Sequence, residues 1–174
     1  MADPEFQRQA LEHLNALYNL AVYLTRNGPQ AEDLVQETYL RAFRFAHRFQ
    51  LGTNLRAWMF QILRNTFLTF YRQREREPAF LDEGDLDTER ETMFHDAPQK
   101  DGTALETETD LGRAIARLPE EFRTILILAE VEGLALEEVA EIMGCPVGTV
   151  KSRIFRAKER LRGFLKDYGQ EFKS

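Results

Sequence analysis

The chain has 174 residues, 43% of them hydrophobic and 30% charged, a globular balance that excludes wholesale disorder and leaves room for one ordinary domain or two small helical ones. No run of about 18 apolar residues could span a bilayer and no secretory signal is visible, so a cytoplasmic location without membrane insertion is expected. The formal charge is −6 and Cys145 is the single cysteine, which argues against a simple polyanion binder and against an internal disulfide.

Residues 1–6, MADPEF, have the look of a translated cloning site, so an expression scar without weight in the fold is expected there. The first helix is read from Leu11, Leu14, Leu17, Tyr18, Ala21, Val22 and Leu24, which recur at helical spacing until Asn27 and Gly28. Pro29 suits the first turn of a second helix reaching about Phe49, with Ala31, Leu34, Val35, Ala42, Phe45 and Ala46 inside. Thr53 is placed to cap a third, with Leu55, Met59, Ile62, Thr66 and Phe70 as its inner stripe. Trp58 is expected in the core or at its edge. These helices make a three-helix bundle over residues 7–74.

Residues 75–102 lose the periodicity and read as an acidic, flexible linker. A second domain is expected over 103–174, its first helix capped by Thr103 with Glu106 three residues on. Pro119 opens a second helix, closed by Gly133. Two more are expected near 136–143 and 147–166, broken at Gly144-Cys145-Pro146, which is the helix-turn-helix arrangement. The expectation is an all-α chain of two small domains, the second with four helices.

Divided along the chain, the charge changes meaning. Residues 1–74 carry 9 basic and 6 acidic side chains, residues 75–110 carry 3 and 13, and residues 111–174 carry 11 and 10. Nearly all the acidity is therefore central, and polyanion binding by either end is open. From Thr38 to Arg74 there are seven arginines and no Asp or Glu. A solvated structural helix ordinarily mixes signs, so this surface points to a polyanion or an acidic partner. On the helix that starts at Val147, Val150, Ile154, Ala157 and Leu161 share one side at 100° per residue, and Lys151, Ser152, Phe155, Arg156 and Glu159 lie opposite. An aromatic side chain pointed outward among cations wants an apolar partner, and a thymine methyl in the major groove is one. His13, His47 and His95 have no metal-ligand spacing and no nucleophile–base pair or glycine-rich phosphate loop is present, so neither metal, cofactor nor enzyme activity is expected.

Two sets of residues resemble one known family. Asp33-Leu34-Val35-Gln36-Glu37-Thr38, Leu55-Arg56-Ala57-Trp58 and Arg64-Asn65-Thr66-Phe67 are similar to region 2 of extracytoplasmic-function (ECF, group IV) sigma factors of the sigma-70 family. Leu118-Pro119-Glu120 and the run from Gly144 to Arg153 are similar to their region 4. The resemblance implies an alternative sigma factor that binds core RNA polymerase. Asp33, Gln36, Glu37, Arg41 and Arg44 would meet the clamp helices of the largest subunit, and the second domain would rest on the flap of the second-largest. Phe49, Gln50, Thr53, Asn54, Arg56, Gln61, Arg64 and Asn65 would take the minus-ten element of promoter DNA. Thr149, Lys151, Ser152, Arg153, Phe155, Arg156 and Lys158 would take the minus-thirty-five element, with Arg160 and Arg162 on phosphates. The linker would thread the channel later taken by RNA. An anti-sigma factor would hold the chain inactive, and the stretch Gly52 to Arg74 looks most like members whose anti-sigma factor contains zinc and senses redox state. One departure is Ala135, where the family usually has Ser or Thr as helix cap, a loss of about 1 kcal/mol.

Overall fold

In the computed structural model, residues 3–50, 53–76 and 109–171 are described, and those residues are helical with no strand. The expected linker, apart from its first two residues, and the expected cap at Thr103 lie outside them.

The first expected helix is two. α1 (Pro4–Leu11) and α2 (Leu14–Thr25) are separated at Glu12-His13. The residues assigned to a scar enter the fold: Pro4 opens α1 and Phe6 is buried, its ring 5.8 Å from that of Phe49 and 6.0 Å from that of Trp58. α2 ends on Arg26, which takes the left-handed conformation at φ 58°, a strained place for a long side chain. Asn27 then caps α3 (Gly28–Arg44) by accepting a hydrogen bond from the Gln30 amide at 2.9 Å. A short 3-10 turn, Ala46–Arg48, follows, so the second expected helix stops at Arg44 and not near Phe49.

α4 (Leu55–Arg76) is capped by Asn54 and not by Thr53. The Asn54 side-chain oxygen accepts from the Ala57 amide at 3.1 Å, whereas the Thr53 hydroxyl donates back to the Gln50 carbonyl at 2.6 Å. Its buried residues are Leu55, Ala57, Met59, Phe60, Leu63, Thr66 and Phe67. Leu55, Met59 and Thr66 of the expected stripe are thus inside, whereas Ile62 is half-buried and Phe70 exposed, their places being taken by Leu63 and Phe67. The Tyr39 hydroxyl fastens α3 to α1 by donating to the Ala10 carbonyl at 2.7 Å, and burial raises its pKa to about 12.

The second half begins with α5 (Asp110–Arg117), capped by Thr109, whose hydroxyl oxygen accepts from the Gly112 amide at 2.9 Å. α6 (Glu120–Leu126) runs into one π-helical turn, Ile127–Val131, before Gly133 takes φ 67°. α7 (Leu136–Met143) and α8 (Val147–Glu171) complete it. A local cluster of Leu118, Phe122, Leu126 and Ala157 joins α6 to α8.

The two halves pack on each other. One continuous cluster of buried apolar residues includes Leu17, Leu20, Met59, Phe60 and Leu63 from the first half and Ile125, Ile127, Leu128, Val139 and Ile142 from the second. α2 and α4 supply the first half's side of the seam, α6 and α7 the other. Arg123 is wholly buried at this seam, and its Nη1 donates to the Tyr23 carbonyl at 3.3 Å.

Candidate nucleic-acid and polymerase interfaces

The helix-turn-helix is built by its turn. Gly144 adopts φ 67°, and the Cys145 amide closes α7 on the Ala140 carbonyl at 3.1 Å. The Pro146 carbonyl then receives the Thr149 and Val150 amides at 3.0 and 3.1 Å, starting α8 at a fixed angle to α7. Ala135 gives α7 no side-chain cap, as expected, yet the reciprocal half of the capping arrangement survives, because the Ala135 amide donates to Glu138 Oε1 at 3.4 Å.

On α8, Val150 and Ala157 are buried and Ile154 and Leu161 pack beside them, so the expected seam faces the core. Lys151, Ser152, Phe155 and Arg156 are exposed on the other side, Phe155 to 65%. Thr149, Arg153 and Lys158 are half-buried. Several flanking cations are engaged within this half. Lys158 pairs with Glu130 at 2.8 Å, Arg162 with Glu159, and the Arg160 guanidinium lies 4.9 Å from the Phe122 ring centroid.

On the first half, Asp33, Gln36 and Arg44 are exposed along α3, while Glu37 pairs with Arg41 at 3.1 Å. Leu40, 58% exposed, stands among them. Arg41 also covers the Phe70 ring at 5.5 Å. Beside that stack lies a cleft of about 240 Å³ lined by Arg41, Phe45, Arg48, Trp58, Ile62, Asn65 and Thr66. Two guanidiniums, an indole and a carboxamide around one opening suit a planar polar group next to a phosphate. Asn65 was expected at such a place; Arg48, Phe45 and Trp58 were not. Trp58 serves both purposes, packing on Phe49 at 5.3 Å and presenting another edge to the cleft.

The remaining residues expected at the minus-ten element divide. Gln50 and Thr53 are exposed, Phe49 and Gln61 half-buried. Asn54, Arg56 and Arg64 are turned onto acids of the second half. Arg64 donates to both oxygens of Glu120, Nε at 2.8 Å and Nη2 at 3.3 Å. Asn54 Nδ2 and Arg56 Nη2 donate to Glu138 Oε2 at 2.6 and 3.4 Å. Burial alone would raise the Glu138 pKa, but the hydrogen bonds from Asn54, the Ala135 amide and Arg56 outweigh it and hold the carboxyl below its ordinary range.

Comparison with known proteins agrees with this division into halves. Residues 10–77 match the family described as Sigma-70 region 2, and residues 108–161 match Sigma-70, region 4. The chain is 40% identical over 156 residues to the ECF RNA polymerase sigma factor EcfG of Rhodopseudomonas palustris, covering 90% of this chain and 82% of that one. It is 35% identical over 176 residues to the ECF RNA polymerase sigma factor SigE of Mycolicibacterium smegmatis, covering 98% of this chain but spanning only 65% of that protein. Among solved structures, the sigma factor RpoE of Bartonella quintana, in a co-crystal with the anti-sigma factor NepR, superposes with a TM-score of 0.73 at 33% identity, over 94% of this chain and 98% of that one.

Proposed function

Because the chain belongs to the sigma-70 family as an ECF RNA polymerase sigma factor, we propose that it binds core RNA polymerase, directs initiation at a defined set of promoters and is restrained by an anti-sigma factor. The observation that carries this reading is the pairing, in one chain, of two unlike surfaces. One is the face of α8 where Lys151, Ser152, Phe155 and Arg156 stand exposed at the end of a helix-turn-helix. The other is the arginine-rich stretch from Thr38 to Arg74, which contains no Asp or Glu, with its aromatic cleft. A duplex reader and a single-strand reader together are what opening a promoter requires.

In this reading residues 7–74 form region 2 and residues 103–174 region 4. Asp33, Gln36, Glu37, Arg41 and Arg44 face the clamp helices, and region 4 rests on the flap. The cleft beside Asn65 takes an unstacked base of the minus-ten element. The α8 face takes the minus-thirty-five element in the major groove. The acidic linker lies in the polymerase channel and yields to RNA. Restraint by an anti-sigma factor is supported by the likeness to RpoE, whose crystal partner is one. Membership of group IV and a zinc-containing, redox-sensing partner are the finer parts of the proposal, supported by the stretch from Gly52 to Arg74. No helix among the described residues is long and apolar enough to cross a membrane, and the proposed site of action is the cytoplasm.

The test is co-purification with core polymerase followed by sequencing of the transcripts that the reconstituted enzyme initiates. Shared start sites with a common pair of upstream elements are expected. A chain that shifts duplex DNA unaided and leaves polymerase unbound is instead a stand-alone regulator, and the proposal fails.

A further inference from the structure

We propose that the cleft beside Asn65 selects its base by chemistry, taking one that carries a carbonyl oxygen (cytosine, guanine or thymine) and refusing adenine, with Arg48 as the residue that makes the choice. The inference rests on the reading that this cleft receives an unstacked base of the minus-ten element.

The hydrogen-bonding inventory of the cleft is the first support. Its volume of about 240 Å³ lies below the roughly 300–1,000 Å³ of pockets for drug-sized ligands, so it admits one base and leaves sugar and phosphate outside. Among the described residues no carboxylate lines it, and its charged groups are two guanidiniums, which donate and never accept. The Trp58 indole is likewise a donor only. Thr66 is buried and already gives its hydroxyl hydrogen to the Ile62 carbonyl at 2.7 Å. Acceptors for a base N–H are therefore confined to the Thr66 oxygen and to the Asn65 carboxamide, which can serve either way. A carbonyl oxygen brings two lone pairs to such a wall of donors. Adenine has no carbonyl, and its exocyclic amino group adds donors where donors already crowd.

The second support separates the two guanidiniums. Arg41 is committed, because its Nε donates to Glu37 at 3.1 Å while the group covers the Phe70 ring at 5.5 Å. Arg48 pairs with no acid among the described residues. Its guanidinium lies 4.7 Å from the Phe45 ring centroid, a contact that restrains the group yet commits none of its N–H groups to an oxygen. A planar fork held in this way matches a carbonyl oxygen, or the O6 and N7 pair of guanine, whereas an ammonium in its place would match charge alone. Arg48 is also exposed, so its replacement does not open the core.

The experiment uses the full chain. Trp58 is its only tryptophan and lines the cleft, so intrinsic fluorescence reports occupancy without a label. The chain is titrated at low salt with short single strands in which one base, A, C, G or T, stands among abasic sites, and with the wholly abasic strand. Cytosine, guanine and thymine should each bind roughly tenfold more tightly than adenine. Arg48→Lys, which keeps the charge and loses the fork, should erase most of that preference while the abasic strand binds as before. Adenine bound by the parent as tightly as the other three overturns the selection, and so do strands that leave the fluorescence unchanged at every concentration. A preference that survives both Arg48→Lys and Arg48→Ala takes the choice away from Arg48. An equal loss for all five strands in Arg48→Ala makes that residue a phosphate contact and overturns its part in reading the base. No polymerase enters these titrations, so a chain that fails to initiate still yields the ranking of bases. A chain that initiates from promoters with adenine at this place keeps the sigma-factor reading and loses this one.

Discussion

Phe155 is 65% exposed, and Lys151, Ser152 and Arg156 beside it are exposed too. Neither Phe155 nor Arg156 helps close the core, so truncation of either leaves folding intact. Phe155→Ala or Arg156→Ala is expected to lose about 1–3 kcal/mol at the minus-thirty-five element. Transcription by reconstituted holoenzyme from a promoter dependent on that element measures it, and undiminished output removes the face from the site. The outward direction of this face was legible from spacing alone, because α8 is long, regular and anchored by the buried residues Val150 and Ala157. The engagement of Lys158 by Glu130 and of Arg160 by Phe122 was not legible, since Phe122 lies in the first turn of α6 and Glu130 in the π-helical turn after it, and no periodicity links either to α8.

Among the elements, α3 carries the proposed polymerase surface on a side independent of its packing. Its buried residues Leu34, Val35, Thr38 and Ala42 face the bundle, while Asp33, Gln36, Leu40 and Arg44 face out. Asp33 lies in the second turn of α3, where a carboxylate gains little from the helix dipole, so its removal costs the fold little. Asp33→Ala with Glu37→Ala is therefore expected to weaken association with core polymerase at least tenfold, the loss of one to two charge-assisted contacts. Helicity and Tm should remain near those of the parent. Competition against labelled parent chain for core enzyme reads the difference, and equal competition sends both acids back to a local role. Element boundaries were less legible than element faces. The break at Glu12-His13 has no glycine or proline to announce it, and the apolar pattern crosses it without a phase change. The stripe of α4 was right at Leu55, Met59 and Thr66 but wrong at Phe70, because the aromatic residues occupy both sides: Phe60 and Phe67 are buried, whereas Phe70 sits under Arg41.

For the whole molecule, the placement of the halves was beyond reach of the sequence, because Glu120 and Glu138 each have an adequate local reason to exist. Both stand in the first turn of a helix, where an acid offsets the dipole. Their second role depends on a partner more than 50 residues away. Closure makes the stability of the chain depend on pH in a stated direction. The folded pKa of Glu138 is lowered, so its contribution is complete above the ordinary carboxylate value and is lost as pH falls through the lowered one. His13 acts in the same sense. Burial, and then the Arg56 charge, lower its pKa, so protonation below the ordinary imidazole value favours unfolding. Tm should thus fall on acidification in two stages, and Glu138→Gln should diminish the lower stage, in which Glu5 held down by its hydrogen bond from Arg8 also takes part, while leaving the His13 stage. Each kcal/mol involved corresponds to about 2–4 °C for a chain of this size. A scanning calorimetry series in pH gives the answer, and an unaltered lower stage in the variant would place the acid sensitivity elsewhere.

Arg123 gives the seam a further meaning. It is wholly buried in region 4, and its Nη1 donates across the seam to a main-chain carbonyl of region 2, at Tyr23. A carbonyl does not depend on which side chain stands at that position, whereas the carboxylates on Arg64, Arg56 and Asn54 depend on identity. Recombining region 2 of one such factor with region 4 of another would therefore preserve the contact that admits a cation to the seam and discard those that select its companions. Hybrid factors built this way should fold as a unit more readily than they close, and promoter specificity should prove easier to transplant than the resting state.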